Sequence, residues 1–141
     1  MGYTHRWCQS ADFTPDQWSA ICKDVRKIIS YCRQHGIVIQ YEYDDSSRQC
    51  VFKEAIQFNG AGFEGHETFF IPYGPDAYLQ QYNFCKTARK PYDLAVCLCL
   101  LRIAHHCPAF FIAPAGDWDS DWLNARATYT HLFKEEPPRV S

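Results

Sequence analysis

Residues 91–107, PYDLAVCLCLLRIAHHC, decide the fold. Proline at the first helical position costs no hydrogen bond, so Pro91 opens a helix. The interior is apolar on nearly every side, and a helix of that kind must be covered all round. It therefore lies at the centre of the domain, with the other elements packed around it. Pro108 stops it. At the longest greasy run, Leu94 to Leu101, it falls well short of the roughly 18 apolar residues of a membrane span. Downstream, Phe110 to Ala113 reads as a strand. Asp117 to Asp121 then supplies a cap for an amphipathic helix through Trp122, Leu123, Arg126, Tyr129 and Phe133.

Upstream, Tyr3 to Cys8 is a first strand. Thr14, Pro15 and Gln17 form a capping box with proline at N1, and Phe13 with Trp18 can make the hydrophobic staple. The series Trp18, Ile21, Cys22, Val25, Ile28, Ile29, Cys32 keeps the i, i+3, i+4 rule, and Gly36 ends the helix. Lys23, Arg26, Lys27 and Arg33 fall on its solvated outer face. Ile37 to Tyr43 reads as a strand, Asp44 to Arg48 as a turn and Cys50 to Phe58 as a third strand, giving a hairpin. Asn59 to Gly62 is a loop, Glu67 to Pro72 a strand, Gly74 to Gln81 an irregular connection and Tyr82 to Cys85 a short strand. The order implies one α/β (α+β) domain over residues 1–134 with a loose tail at 135–141. The fold class is a two-layer sandwich, a mainly antiparallel sheet with helices on one face, and ferredoxin-like split βαβ wiring fits the order.

The chain has 141 residues and a formal net charge of -2, with 14 Lys plus Arg against 16 Asp plus Glu. That balance gives no case for a general nucleic-acid coat or for binding an acidic membrane. The first ten residues lack the basic and long apolar regions of a secretory signal, so the expected location is cytoplasmic. Eight cysteines are then expected to stay reduced. No C-x-x-C occurs, so neither a zinc ribbon nor a redox motif is encoded. Cys99 and His106 share a helix face, where a distant ligand could complete a metal site; otherwise the thiols act as small hydrophobes. No metal or cofactor is expected.

The segments MGYTHRW, FNG, HETF, FCKTARKPYD and GDWDSDW together resemble an uncharacterised family of small proteins from bacteria, phages and fungi. The resemblance spans most of the chain, and FCKTARKPYD is its most specific part. It implies that these segments belong together and brings no catalytic residue, substrate or cofactor with it.

Within FCKTARKPYD, Lys86, Thr87, Arg89 and Lys90 stand directly before the buried helix. A helix N-terminus presents unpaired N–H groups and a partial positive charge, so cations gathered there suit an anion. Arg89 can grip a phosphate or carboxylate bidentately, Lys86 adds a point charge and Thr87 a hydroxyl donor. The alternative is a solvated basic turn capped by Asp93. His66 and Thr68 share a strand face in an H-x-T pattern, as in two-histidine phosphoesterases, but His5 has no matching Ser or Thr two residues later. His5 and His66 could act as an acid–base pair if their strands adjoin; the other reading is a pair of hydrogen-bonded strand histidines. Asn59-Gly60-Ala61-Gly62 lacks the pattern of a phosphate or dinucleotide loop. Asp117, Asp119 and Asp121 suit either a divalent ion or caps, and the adjacent tryptophans suit either stacking or anchoring the last helix.

These readings make the chain a cytosolic binder of an anionic, phosphate-bearing small molecule or nucleotide. Lys86, Thr87, Arg89 and Lys90 would contact the anion, with His5, Trp7, Asn59 and His66 lining the pocket. The rival readings are a phosphoester- or nucleotide-processing enzyme with catalytic His5 and His66 beside Lys86 and Arg89, and a phage or host accessory protein that docks a protein partner. Oligomeric state is left open.

Overall fold

A computed structural model of the chain describes residues 2–74 and 83–140. The elements are β1 (Thr4–Gln9), α1 (Pro15–Gln34), β2 (Val51–Phe52), β3 (Ala55–Phe58), β4 (Phe69–Pro72), β5 (Asn83–Lys86), α2 (Asp93–His106), β6 (Phe110–Ala113) and α3 (Leu123–Phe133), with a 3-10 turn at Gly62–Glu64. The expected connection at Gly74 to Gln81 lies, after Gly74, outside the described residues, as does Tyr82.

α1 follows its sequence signals closely. The Thr14 hydroxyl accepts the Gln17 N–H, and the Gln17 side chain accepts the Thr14 N–H. The rings of Phe13 and Trp18 stack with centroids 5.8 Å apart. All seven apolar positions from Trp18 to Cys32 are buried, and Gly36 beyond the end takes φ +81°, where a Cβ would be strained. α2 is the hub. Ala95 to Leu101 and Ile103 are all buried, and α2 packs against α1, α3 and β6. Each buried leucine contributes about 1.5–3 kcal/mol relative to exposure. Pro91 sits in the turn that leads into α2, and the helix itself opens at Asp93.

The fold is mixed α+β with antiparallel strands and helices in two layers, as the sequence implies. The split βαβ wiring is not formed. Among the described residues, the strands make two three-stranded sheets, β5-β1-β6 and β2-β3-β4, and every pairing is antiparallel. β1 therefore has no parallel neighbour, which that wiring requires. The expected strand at Ile37 to Tyr43 is also absent. Ile39 is buried, but its carbonyl accepts Arg33 Nε at 3.1 Å and Nη2 at 2.6 Å, so a side chain replaces the ladder. Only Gln40 bridges to Asn59, and Glu42 to Asp45. The hairpin lies instead inside Cys50 to Phe58. The chain turns at Lys53-Glu54, pairing Val51 with Ile56 and Phe52 with Ala55.

Among the described residues, Glu67 makes the one backbone link between the sheets, its N–H donating to the Lys86 carbonyl at 3.2 Å. Its own carbonyl accepts the Tyr92 hydroxyl at 2.5 Å and the Cys85 thiol at 3.3 Å, and its carboxylate accepts the Lys86 N–H at 2.6 Å. Glu67 is thus spent on this seam, the Thr68 hydroxyl bonds Glu42 and Asn59, and β4 starts only at Phe69. The 135–141 tail is tied at Glu135, 2.5 Å from Arg102, and Val140 packs against the core. All eight cysteines are free, and only Cys8 is exposed. Among the described residues, no helix is long and apolar enough to cross a membrane.

Candidate functional site

The core contains few buried polar side chains, and two of them, His5 and Thr87, converge on one carboxylate. β1 carries His5 on its inward face, because alternate residues of a strand share a side. The first turn of α2 brings Asp93, and the second brings Cys97. His5 Nε2 lies 2.7 Å from Asp93 Oδ1, and the Thr87 hydroxyl donates to the same oxygen at 2.6 Å. The Cys97 thiol approaches Oδ2 at 3.5 Å. The Ala115 N–H donates to His5 Nδ1 at 3.1 Å, so that nitrogen is the acceptor and Nε2 holds the ring hydrogen. Tyr3 and Trp122 clamp the imidazole edge-to-face, each with centroids 5.2 Å away.

His5, Asp93 and Cys97 present one ligand atom each, all within 4.8 Å of one another. Their chemistry does not fit a metal. A ligating histidine donates its second ring N–H outward, whereas here the second nitrogen already accepts a backbone N–H. Burial, with Asp93 alongside, also pushes the Cys97 thiol well above its ordinary value, away from the thiolate a metal needs. Cys99 and His106 do not come together: Cys99 is buried and His106 bonds Asp24 at 2.6 Å.

The turn before α2 is unusual. Ala88 and Arg89 have φ of +53° and +59°, and the Lys90 N–H closes on the Thr87 carbonyl at 3.0 Å. Positive φ at both central residues makes this a type I′ turn, which asparagine and glycine normally fill. Left-handed backbone costs an alanine or arginine about 1–2 kcal/mol, and such strain gathers where geometry serves a site. It lays the Arg89 guanidinium over the Tyr3 ring at 4.2 Å and against Asp121 at 2.6 Å. Beneath it lies a cavity of about 200 Å³, walled by Tyr3, Arg89, Lys90, Asp93, Asp121 and Asn124 among others. Burial, then Asp93 and Cys97, raise the Tyr3 phenol well above its ordinary value, so it faces the cavity as a hydroxyl. Asp93 Oδ1 already holds two strong donors, whereas Oδ2 has only the weak thiol and can accept one more.

The structure divides the sequence-derived residues. Arg89 and Lys90 wall the cavity, and Thr87 supports Asp93 from behind with no exposed surface. Lys86 pairs with Thr4 across the sheet and runs beside Gly2, outside the cavity. Trp7 is in the core, its ring 5.4 Å from Phe69. Asn59 is spent on its own loop: Oδ1 accepts the N–H of Gly60 and His66, and Nδ2 donates to the His66 carbonyl and to Thr68. His66 is exposed, just before β4. β1 pairs with β5 and β6 and β4 with β3, so the two histidines are not on adjoining strands.

Asp117 caps the turn at Asp119 and Ser120, Asp121 splits its carboxylate between Arg89 and the Asp117 N–H, and the Asp119 carboxylate lies 3.5 Å from Arg126, so each of the three acids has a partner within the fold. Trp118 and Trp122 are buried anchors of α3. Asp93, Tyr3, Asp121 and Asn124 are cavity residues that the sequence reading missed as such. A carboxylate in the first turn of the most buried helix was the available signal for Asp93. No protein-family model, curated protein or solved structure matches the chain.

Proposed function

We propose that this chain is a cytosolic binder of a small anionic molecule, bearing phosphate or carboxylate together with a hydroxyl or amine. Arg89 and Lys90 take the anion at the cavity mouth, and Asp93 Oδ2 accepts the hydrogen of the second group. The observation that supports it is the strained Thr87–Lys90 turn holding Arg89 over a cavity backed by a carboxylate that His5 and Thr87 fix through Oδ1, leaving Oδ2 able to accept a further hydrogen. The Arg89–Asp121 pair is no obstacle. The Arg89 side chain is 61 % exposed, and an ion pair so placed is screened by solvent and weak, so a ligand anion can displace Asp121. At about 200 Å³ the cavity is smaller than the roughly 300 Å³ at which drug-sized pockets begin, which favours a phosphate or hydroxy-acid over a whole nucleotide.

Thermal-shift measurements at low salt with phosphate, sugar phosphates, hydroxy-carboxylates and nucleotides test the reading. A ligand at a hundred times its dissociation constant adds about 2.7 kcal/mol, or about 5–10 °C. A shift of that size with a small anion, lost in Arg89→Ala, is the expected result. No shift with any compound, or an equal shift in Arg89→Ala, overturns it. A protein partner is the second reading, favoured by Phe84 and Phe111, 51 % and 56 % exposed on the open face of the β5-β1-β6 sheet.

A further inference from the structure

We infer that the cavity beneath Arg89 takes a zwitterion, a small molecule whose second group, set against Asp93, is a protonated amine. The inference rests on the anion-binding reading above and adds the class of ligand, an amino acid or an aminoalkyl phosphate. It starts from a charge without an opposite. The Asp93 side chain is only 19 % exposed, and the side chains that bond its carboxylate are neutral donors. Thr87 offers a hydroxyl, and Cys97 a thiol that burial keeps protonated. His5 offers an N–H from a neutral ring, because its Nδ1 accepts the Ala115 N–H and so carries no proton. Among the described residues, no lysine or arginine pairs with this carboxylate. The start of α2 adds about half a positive charge, which leaves the rest unanswered. A carboxylate held back from water is stabilised by a full positive charge beside it, and here the ligand supplies that charge.

The walls make the same demand. They carry two cations, Arg89 and Lys90, and two carboxylates, Asp93 and Asp121. A hydroxy-acid brings another negative charge into that space and meets Asp93 with a neutral group. An amino acid or aminoalkyl phosphate answers both ends: its anion takes Arg89 and Lys90, and its ammonium takes Asp93 Oδ2. Asp121, released from Arg89 by the anion, adds to the negative potential that the ammonium meets. An ammonium has three N–H donors, and Tyr3 and Asn124 in the same walls carry further acceptor oxygens. A simple amine lacks the anion, so Arg89 and Lys90 repel it.

Isothermal titration calorimetry at neutral pH and low salt compares matched pairs: alanine against lactate, and ethanolamine phosphate against ethylene glycol monophosphate. Each pair exchanges an amine for a hydroxyl, and the pairs together tell a carboxylate ligand from a phosphate. Hydrogen bonds between charged groups are stronger than neutral ones, so the amine of the favoured pair should bind about tenfold more tightly. Asp93→Asn keeps an oxygen for His5 and Thr87 but loses the charge, and should bring the two members to equal affinity. The pairs are compared on the parent protein, so the test stands even where that variant fails to fold. A hydroxyl compound that binds as tightly as its amine overturns the zwitterion and leaves the anion reading in place. No binding by any of the four also overturns it, and the thermal shifts with phosphate and the other anions then decide whether the anion reading falls too. An unchanged preference in Asp93→Asn overturns the placing of the ammonium at Asp93.

Discussion

At Ala88 a methyl group occupies backbone that glycine would take without strain, and the cost is measurable. Ala88→Gly should raise the free energy of unfolding by about 1 kcal/mol, read from urea denaturation, because the φ of +53° is then free of strain. Destabilisation by that change would contradict a left-handed residue 88. Little of this was legible beforehand. The cations of KTARK are plain in the sequence, but alanine and arginine give no sign of a type I′ turn, which is normally read from Asn-Gly. The turn forms because its ends are fixed from outside: the Tyr3 carbonyl accepts the N–H of both Thr87 and Ala88, and Thr87 is locked to Asp93. His5 was among the residues weighed in the sequence as a pocket or acid–base residue, and the structure places it behind Asp93. Its role as the rear support of Asp93 depends on Ala115, more than a hundred positions away, which no local pattern encodes.

Among elements, the helices were the most readable and the edge strands the least. α1 carries its own start, stop and apolar stripe, so local signals and tertiary packing agree. Ile37 to Tyr43 has the composition of a strand, yet Arg33 takes the Ile39 carbonyl, a competition that composition does not reveal. The Lys53-Glu54 turn lacks glycine, asparagine and proline and is set by pairing, with the Tyr73 N–H closing on the Glu54 carbonyl at 2.8 Å.

Between helices, Asp24 of α1 accepts Arg102 and His106 of α2, both at 2.6 Å, and Arg102 reaches Glu135 beyond α3. Burial alone would raise the Asp24 carboxyl, but the hydrogen bonds from His106 and Arg102 outweigh it and hold it below its usual value. A depressed carboxyl stabilises the fold fully above its unfolded value of about 3.9, and the gain disappears as pH falls through the lower folded value. Urea midpoints should therefore drop below about pH 4. In Asp24→Asn the protein should be weaker at neutral pH and its acid limb flatter. An unchanged acid limb in that variant would show that the helix contact does not depend on this charge.

For the whole molecule, the layered α+β class follows from a central apolar helix that needs cover on every side. The partition of the strands into two sheets does not, because it depends on which edges meet. The same partition leaves β1 inside one sheet with its outer face open, and Cys8 on that face. Burial pushes Cys32 up to about 11 and Cys85 up to about 12, so neither reacts readily. A thiol reagent should modify one cysteine, Cys8, quickly in the native protein and all eight in denaturant. Rapid native modification of three or more would mean that the core opens far more often than its packing implies.

Glu67 stands where the two sheets meet, and it uses its amide, carbonyl and carboxylate there at once. A joint of that kind behaves as a latch rather than a hinge. No single rotation frees it, because each group holds a different neighbour: the Lys86 carbonyl, the Tyr92 phenol and the Lys86 amide. Neither sheet can therefore swing independently while the latch holds, and the Thr87–Lys90 turn, which begins one residue past it, inherits that rigidity. Under the proposed function, Arg89 would meet an incoming anion from a fixed mount, and recognition there would have the character of a lock already cut to shape.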